Sequence, residues 1–220
     1  LSLKGAADDA TSSGIHWGTS ADTTLGTLEY DTLNGRFQLM VNNTASVLRI
    51  DNTTLFLDRG QIKFPASVNL SSDANTMDDY QEGTFTPYLH DWSFDSSEAT
   101  HTANRVGRYV KIGRFVYFWI YIGWSSIGTL ATGSQGLIGG LPYTAMAGTN
   151  HNATVSIGHA YGLGLPTAED SPCATINANT AYISFHVWTL TSGALSMNFS
   201  QWGPNPTANF ILSGFYETNS

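Results

Sequence analysis

Cysteine is almost absent: the 220 residues contain Cys173 and no other. A single thiol forms no intrachain disulfide and no thiolate metal cluster, so folding must rest on burial and assembly. No reactive Cys-His motif surrounds it, and it reads as a small buried or loop thiol. Charge is also scarce, at 12% of residues, about half the usual share. Gly, Ser, Thr and Asn fill the polar positions, a balance that fits an all-β protein with buried subunit contacts better than a salt-bridged helical one. Cations are the rarer sign, giving a net charge of -8. A duplex-binding surface needs a Lys/Arg stripe to displace counterions, so nucleic acid is not an expected partner. The densest basic run is Arg105, Arg108, Lys111 and Arg114. As one strand it would put Arg108 and Arg114 opposite Lys111, and it reads as ordinary solvated charge.

Long apolar runs are missing too. The longest, Phe115 to Ile122, is far short of the ~20 residues of a membrane span, and no membrane insertion is expected. No signal peptide is visible. The chain begins with Leu rather than Met, from which a fragment or processed product is expected. Catalytic motifs are equally sparse. There is no Gly-x-Ser-x-Gly elbow. His16, His90, His101, His151, His159 and His186 include no His-x-x-x-His or His-Glu-x-x-His pair, which leaves a three-fold axis with one His per chain as the open route to a metal. Gly139-Gly140 and Gly158 to Gly164 lack the Lys and the strand-to-helix context of a phosphate loop and read as turns. No cofactor is expected.

What is present is strand after short strand. Leu25 to Tyr30, Arg36 to Val41, Ser46 to Ile50, Thr54 to Leu57 and Gln61 to Phe64 are separated by Asn34-Gly35, Asn42-Asn43, Asp51-Asn52 and Arg59-Gly60, pairs that form turns. Each strand is too short to be stable alone. Asn69 to Thr76, rich in Ser, Asp and Asn, is the expected boundary between a first region, 1–74, and a second, 75–220. In the second region Arg108 to Gly123 and Ala181 to Leu190 alternate cleanly, while Thr154 to His159, Leu195 to Phe199 and Asn209 to Glu217 read as further strands. No window shows sustained 3.6-residue periodicity, so this region is read as a jelly-roll-like β-sandwich.

One strand is unusual. From Arg114 to Gly123, Val116, Phe118, Ile120 and Ile122 fall on one face, and Phe115, Tyr117, Trp119 and Tyr121 on the other. Both faces are apolar, so the aromatic one needs a partner. Ala181 to Leu190 repeats the theme with Tyr182, His186 and Trp188 opposite Ile183, Phe185 and Val187. A trimer interface made by Phe115, Tyr117, Trp119, Tyr121 and Trp188 is the first reading; a sugar-stacking surface and intradomain packing stay open.

The words that frame this strand resemble those of bacteriophage tail fibres. They are Asn75-Thr76-Met77-Asp78-Asp79-Tyr80-Gln81-Glu82-Gly83-Thr84-Phe85-Thr86-Pro87, then Gly107-Arg108-Tyr109-Val110-Lys111-Ile112-Gly113-Arg114, then Gly140-Leu141-Pro142-Tyr143. In that family a similar segment opens the C-terminal head presented to the bacterial surface. Gly26 to Asp31, Gly35 to Phe37 and Leu48 to Asp51 are similar to the repeat of fibre shafts, where three chains wind together. The resemblance implies a homotrimeric, intertwined β neck over 1–74 and a receptor-binding head over 75–220. It places the chain at the outer tip of the virion's tail fibre, joined to the rest of the tail by a missing N-terminal part.

A glycosidase needs two carboxyl groups about 5 to 10 Å apart across a cleft. Asp91, Asp95 and Glu98 cluster in one expected loop and Glu169-Asp170 in another; both read as loop acids and turn formers, and no catalysis is expected. The loops Leu89 to Asn104, Trp124 to Gly136, Ala145 to Asn152, Ala160 to Asn179 and Gln201 to Asn209 mix aromatics with Asn, Asp and Ser, a mixture suited to carbohydrate. Trp92, Trp124, Tyr161 and Trp202 are the expected stacking residues, with Asp91, Asn150 and Asp170 as polar partners. The expected ligand is bacterial surface polysaccharide or lipopolysaccharide. A tailspike-type depolymerase and a purely structural trimerisation or capping domain are the alternatives.

Overall fold

The computed structural model describes residues 3–4, 12–17, 26–31, 33–41, 45–59, 61–63, 79–165, 170–203 and 208–219. The chain divides into two compact units, Leu1–Lys63 and Phe64–Ser220. The expected boundary segment Asn69 to Thr76 lies outside the described residues.

The first unit is an antiparallel meander in which each strand bonds to the next: β1 Leu3–Lys4, β2 Ser12–Trp17, β3 Gly26–Asp31, β4 Arg36–Val41, β5 Ala45–Ile50 and β6 Leu55–Phe56. Turn chemistry sets these hairpins. Asp31 accepts the Asn34 backbone N–H at 3.1 Å and its amide at 2.8 Å, and Gly35 turns the chain at φ +61°. Asp51 Oδ1 accepts the N–H groups of Thr53 and Thr54, both at 2.8 Å. Residues 61–63, expected in a strand, are not in one.

The meander's faces are inverted relative to a self-contained domain. Thr27, Glu29, Asp31 and Gln38 are buried, with the Gln38 amide donating to Glu29. Cross-strand rows Ile15, Leu28, Leu39, Leu48 and Tyr30, Phe37, Ile50, Leu55 form the other face, and Leu28, Leu39, Tyr30, Phe37, Ile50 and Leu55 are exposed.

The second unit is one ten-stranded antiparallel sheet. Its strands are β7 Tyr80–Phe85, β8 Tyr88–His90, β9 Thr100–Ile112, β10 Phe115–Ser126, β11 Leu137–Gly139, β12 Ala153–Tyr161, β13 Ser171–Ile176, β14 Tyr182–Thr189, β15 Gly193–Ser196 and β16 Ala208–Glu217. They pair in the order β7-β9-β10-β16-β12-β13-β14-β11-β8, with β15 on β14. The strands at the two ends, β7 and β8, are joined by Thr86 and Pro87 alone, so the sheet must curl until its ends meet. The Leu89 N–H on β8 donates to His101 Nε2 on β9 at 3.1 Å, and Arg105 on β9 donates to the Pro87 carbonyl at 2.8 Å. The fold is all-β, as the turn-punctuated alternation implies, and its ladder is a single curled sheet.

Alternation fills the curl. Val116, Phe118, Ile120, Ile122 and Trp124 of β10, Ile183, Phe185 and Val187 of β14, and Phe210 and Leu212 of β16 all point into the core. At one end of that core the three motif words converge. Lys111 is 1% exposed and ion-paired to Asp79, with its ammonium 5.5 Å from the centre of the Tyr143 ring. The Tyr143 hydroxyl donates to Gln81, its ring packs edge-on to Tyr109 at 5.6 Å, and the Gly113 N–H donates to the Asp79 carbonyl at 2.9 Å. A β-carbon on Gly83 would come within 2.9 Å of the Tyr109 ring. The reading of Lys111 as solvated charge is therefore corrected. Arg108 does lie on the opposite face, its guanidinium 5.5 Å from the Trp119 ring centre.

Candidate functional site

The segment after β8 is bound together by its own side chains. Asp91 accepts the Ser93 N–H at 2.8 Å and the Ala131 N–H at 3.2 Å; Asp95 accepts the Ser97 N–H at 2.8 Å and hydroxyl at 2.7 Å; the Ser93 hydroxyl donates to Glu98 at 2.8 Å. The Phe94 N–H closes the turn onto the Asp91 carbonyl at 3.1 Å and Phe94 sits at φ +60°, a left-handed conformation that bulky residues avoid. The turn folds two rings back over the end of β14. Trp92 and Phe94 stand 5.9 Å and 5.7 Å from Tyr182 and 6.2 Å from each other. His90 packs behind, 5.0 Å from Phe94. Its Nδ1–H donates to the Asp91 carbonyl at 2.7 Å, and burial lowers its pKa, keeping it neutral. Trp92 and Phe94 are each 52% exposed, so the turn presents a rigid aromatic platform to solvent.

The acids around the platform are spent on this turn. The Ser93 backbone N–H, foremost among several hydrogen bonds, holds Asp91 below the ordinary carboxylate range although burial opposes it. The Ser97 hydroxyl and N–H do the same for Asp95. Asp91 is 8% exposed, which corrects its reading as a polar partner of a receptor: it builds the turn.

Two expected stacking residues are also corrected. Trp124 and Trp202 are wholly buried, 5.4 Å apart, in an aromatic cluster with Phe185, Phe199 and Phe210. Trp124 was expected in a loop, yet β10 runs on to Ser126 and carries it inward on the parity of Val116 to Ile122. Trp202 follows a short 3-10 turn, Phe199–Gln201, that drives its ring against Gly136, where a β-carbon would meet it at 2.1 Å. Tyr161 is exposed at the end of β12, Asn150 is exposed between β11 and β12, and Asp170 is half-buried before β13. These three do not belong to the platform's ring contacts. Phe94 carries no sequence signal, since its exposure depends on a backbone conformation its residue type disfavours.

The outer face of β10 forms a second surface. Phe115 and Tyr117 are exposed, and Trp119 and Tyr121 half-buried. Phe215 of β16 extends the patch, 6.3 Å from Phe115 and 5.8 Å from Tyr117, and Ile112 borders it. Trp188, 60% exposed, lies on β14, with β16, β12 and β13 between it and β10. The five aromatics grouped from the sequence thus fall on two separate parts of the sheet.

The chain has a counterpart in fold among solved structures. It resembles part of a tailspike. Over 63% of this chain, at 24% sequence identity and a TM-score of 0.51, the chain is similar to the crystal structure of the Dettilon tailspike protein (gp208). It spans 24% of that protein's length. The likeness is one of fold. No family model matches the sequence, and no curated protein matches it.

Proposed function

We propose that this chain is the neck and receptor-binding head of a bacteriophage tail protein, fibre or tailspike, which assembles as a trimer and adheres to bacterial surface polysaccharide or lipopolysaccharide without cleaving it. The Trp92–Phe94–Tyr182 platform carries the binding part of this reading. Exposed rings held by a hydrogen-bonded turn cover the apolar face of a sugar at small entropic cost. The tail assignment is supported by the tailspike-like fold and the tail-fibre words in the sequence. The trimer is supported by the uncovered apolar rows of the first unit, which closed symmetry would bury three at a time. Binding rather than hydrolysis is favoured by Asp91 and Asp95, whose carboxylates are taken up in the hydrogen bonds that build the turn.

The test applies labelled protein to host cells with intact and stripped surface polysaccharide. Binding is expected on intact cells alone, with no oligosaccharide released and a trimer in sedimentation. Trp92→Ala and Phe94→Gly are expected to weaken adsorption at least tenfold through lost avidity, with melting preserved, because Gly also relieves the φ +60° backbone. A folded monomer at micromolar concentration or soluble oligosaccharide would overturn the reading. Undiminished adsorption by both variants would remove the platform from it.

A further inference from the structure

On another part of the head, where the end of β16 meets the beginning of β12, a pocket of about 470 Å³ opens, within the ~300–1,000 Å³ typical of small-molecule sites. Phe115 and Phe215, with ring centres 6.3 Å apart, supply its apolar wall. Asn150, His151, Asn152 and Glu217 supply the polar one. Glu217 receives a hydrogen bond from His151 Nδ1 at 2.9 Å. The loop bearing Asn150, His151 and Asn152 is anchored at two points and packed on itself. The Met146 N–H donates to the Glu217 carbonyl at 2.7 Å, the Ala178 N–H donates to Asn152 Oδ1 at 2.8 Å, and the His151 ring lies against Gly148, where a β-carbon would approach it to 2.8 Å. Fixing Asn152 Oδ1 on Ala178 leaves the amide nitrogen as the side chain's donor to a ligand.

We infer that this pocket is a second saccharide site, taking a neutral pyranose residue, and that it rests on the receptor-binding reading above. An aromatic wall opposite hydrogen-bonding groups matches a sugar ring, which has one apolar face and an edge of hydroxyls. Glu217 accepts from those hydroxyls and the two Asn amides donate to them. The same carboxylate repels a second one, so hexuronic and sialic acids are disfavoured. Together with the platform, the pocket gives each head two shallow sites for one polymer, and repetition across a trimer multiplies weak contacts.

Saturation-transfer NMR on the whole chain tests this with methyl glucoside, methyl galactoside, N-acetylglucosamine and glucuronate as probes. Transfer to at least one neutral sugar and none to glucuronate is expected at neutral pH. In a Trp92→Ala background, which removes the platform's own sugar contact, Asn150→Ala and Glu217→Ala should each weaken the remaining neutral-sugar signal at least tenfold with an unchanged melting curve. Glu217→Gln should admit glucuronate. Equal signals from the Trp92→Ala background with and without these substitutions, rejection of every probe at about 20 mM, or preference for glucuronate would each overturn the site. Cell adsorption that is lost in Trp92→Ala but kept in the pocket variants would sink the pocket while sparing the tail-receptor reading.

Discussion

Neutralising Lys111 leaves the Asp79 carboxylate alone in a site where both residues are 1% exposed. Taking one partner from a buried ion pair costs about 3–5 kcal/mol, because the remaining charge has lost its water and its counter-ion together. In Lys111→Met the cation also leaves the Tyr143 ring, 5.5 Å from the ammonium, a contact of roughly 0.5–2 kcal/mol that falls inside that range. For a unit of this size each kcal/mol lowers the melting temperature by about 2–4 °C, so a fall of roughly 6–20 °C is expected. Asp79→Leu should cost a similar amount. The double variant should recover most of the loss, since an apolar pair of matching volume is often neutral or better in such a site. Urea and thermal denaturation of the four proteins closes the cycle. If Lys111→Met melts within a degree or two of wild type, or the double variant is as unstable as the sum of the singles, the motif words do not meet in a buried ion pair.

Other outcomes follow from the same core. Trp124→Ala should destabilise the head by about 3–5 kcal/mol, read in denaturant melts, whereas Trp92→Ala should change stability by less than ~1 kcal/mol. Gly136→Ala sets a methyl 2.1 Å from a Trp202 ring walled in by Phe185, Phe199 and Phe210; a loss of about 1–3 kcal/mol or more and an altered near-ultraviolet dichroism are expected. Burial, with Arg105 nearby, lowers the pKa of His101 to about 4 from its ordinary 6.5. A folded-state pKa below the unfolded one means that the unfolded chain takes up the proton first. Stability from this group is therefore complete above pH 6.5 and drains away as pH falls towards 4. Urea melts at pH 7 and 4.5 should show the decline, and His101→Gln, which keeps an acceptor for the Leu89 N–H, should show less of it.

The fold was legible where alternation was unbroken. Val116 to Ile122 told its buried face correctly, and Arg36 to Val41 matched β4 residue for residue. One further step of the same parity would have put Trp124 in the core, but its Ser-Ser-Ile-Gly sequel looked like a loop. Trp202 lacked even that clue, since its burial depends on a 3-10 turn and on the absence of a side chain at Gly136. Lys111 was misread because a lone cation carries no mark of its partner, and Asp79 is 32 positions away. At the candidate site Trp92 was found by residue type, as an aromatic among turn formers, whereas its neighbours Phe94 and Tyr182 are brought to it by a strained backbone and a distant strand. Sequence period reports which face a strand buries; it does not report which strands a curled sheet sets side by side.

The position of β16 has a bearing on how the head is made. Ala208–Glu217 is late in the chain but lies in the middle of the sheet, between β10 and β12. During synthesis two half-sheets must wait, each with a long unsatisfied edge, until this segment emerges and joins them. Such non-local pairing is slow and leaves the waiting edges open to pairing with other chains. The first unit, a meander in which every strand bonds to its neighbour in sequence, has no such delay. The early meander would thus be complete while the head is still open, and loss of β16 would leave no closed head at all.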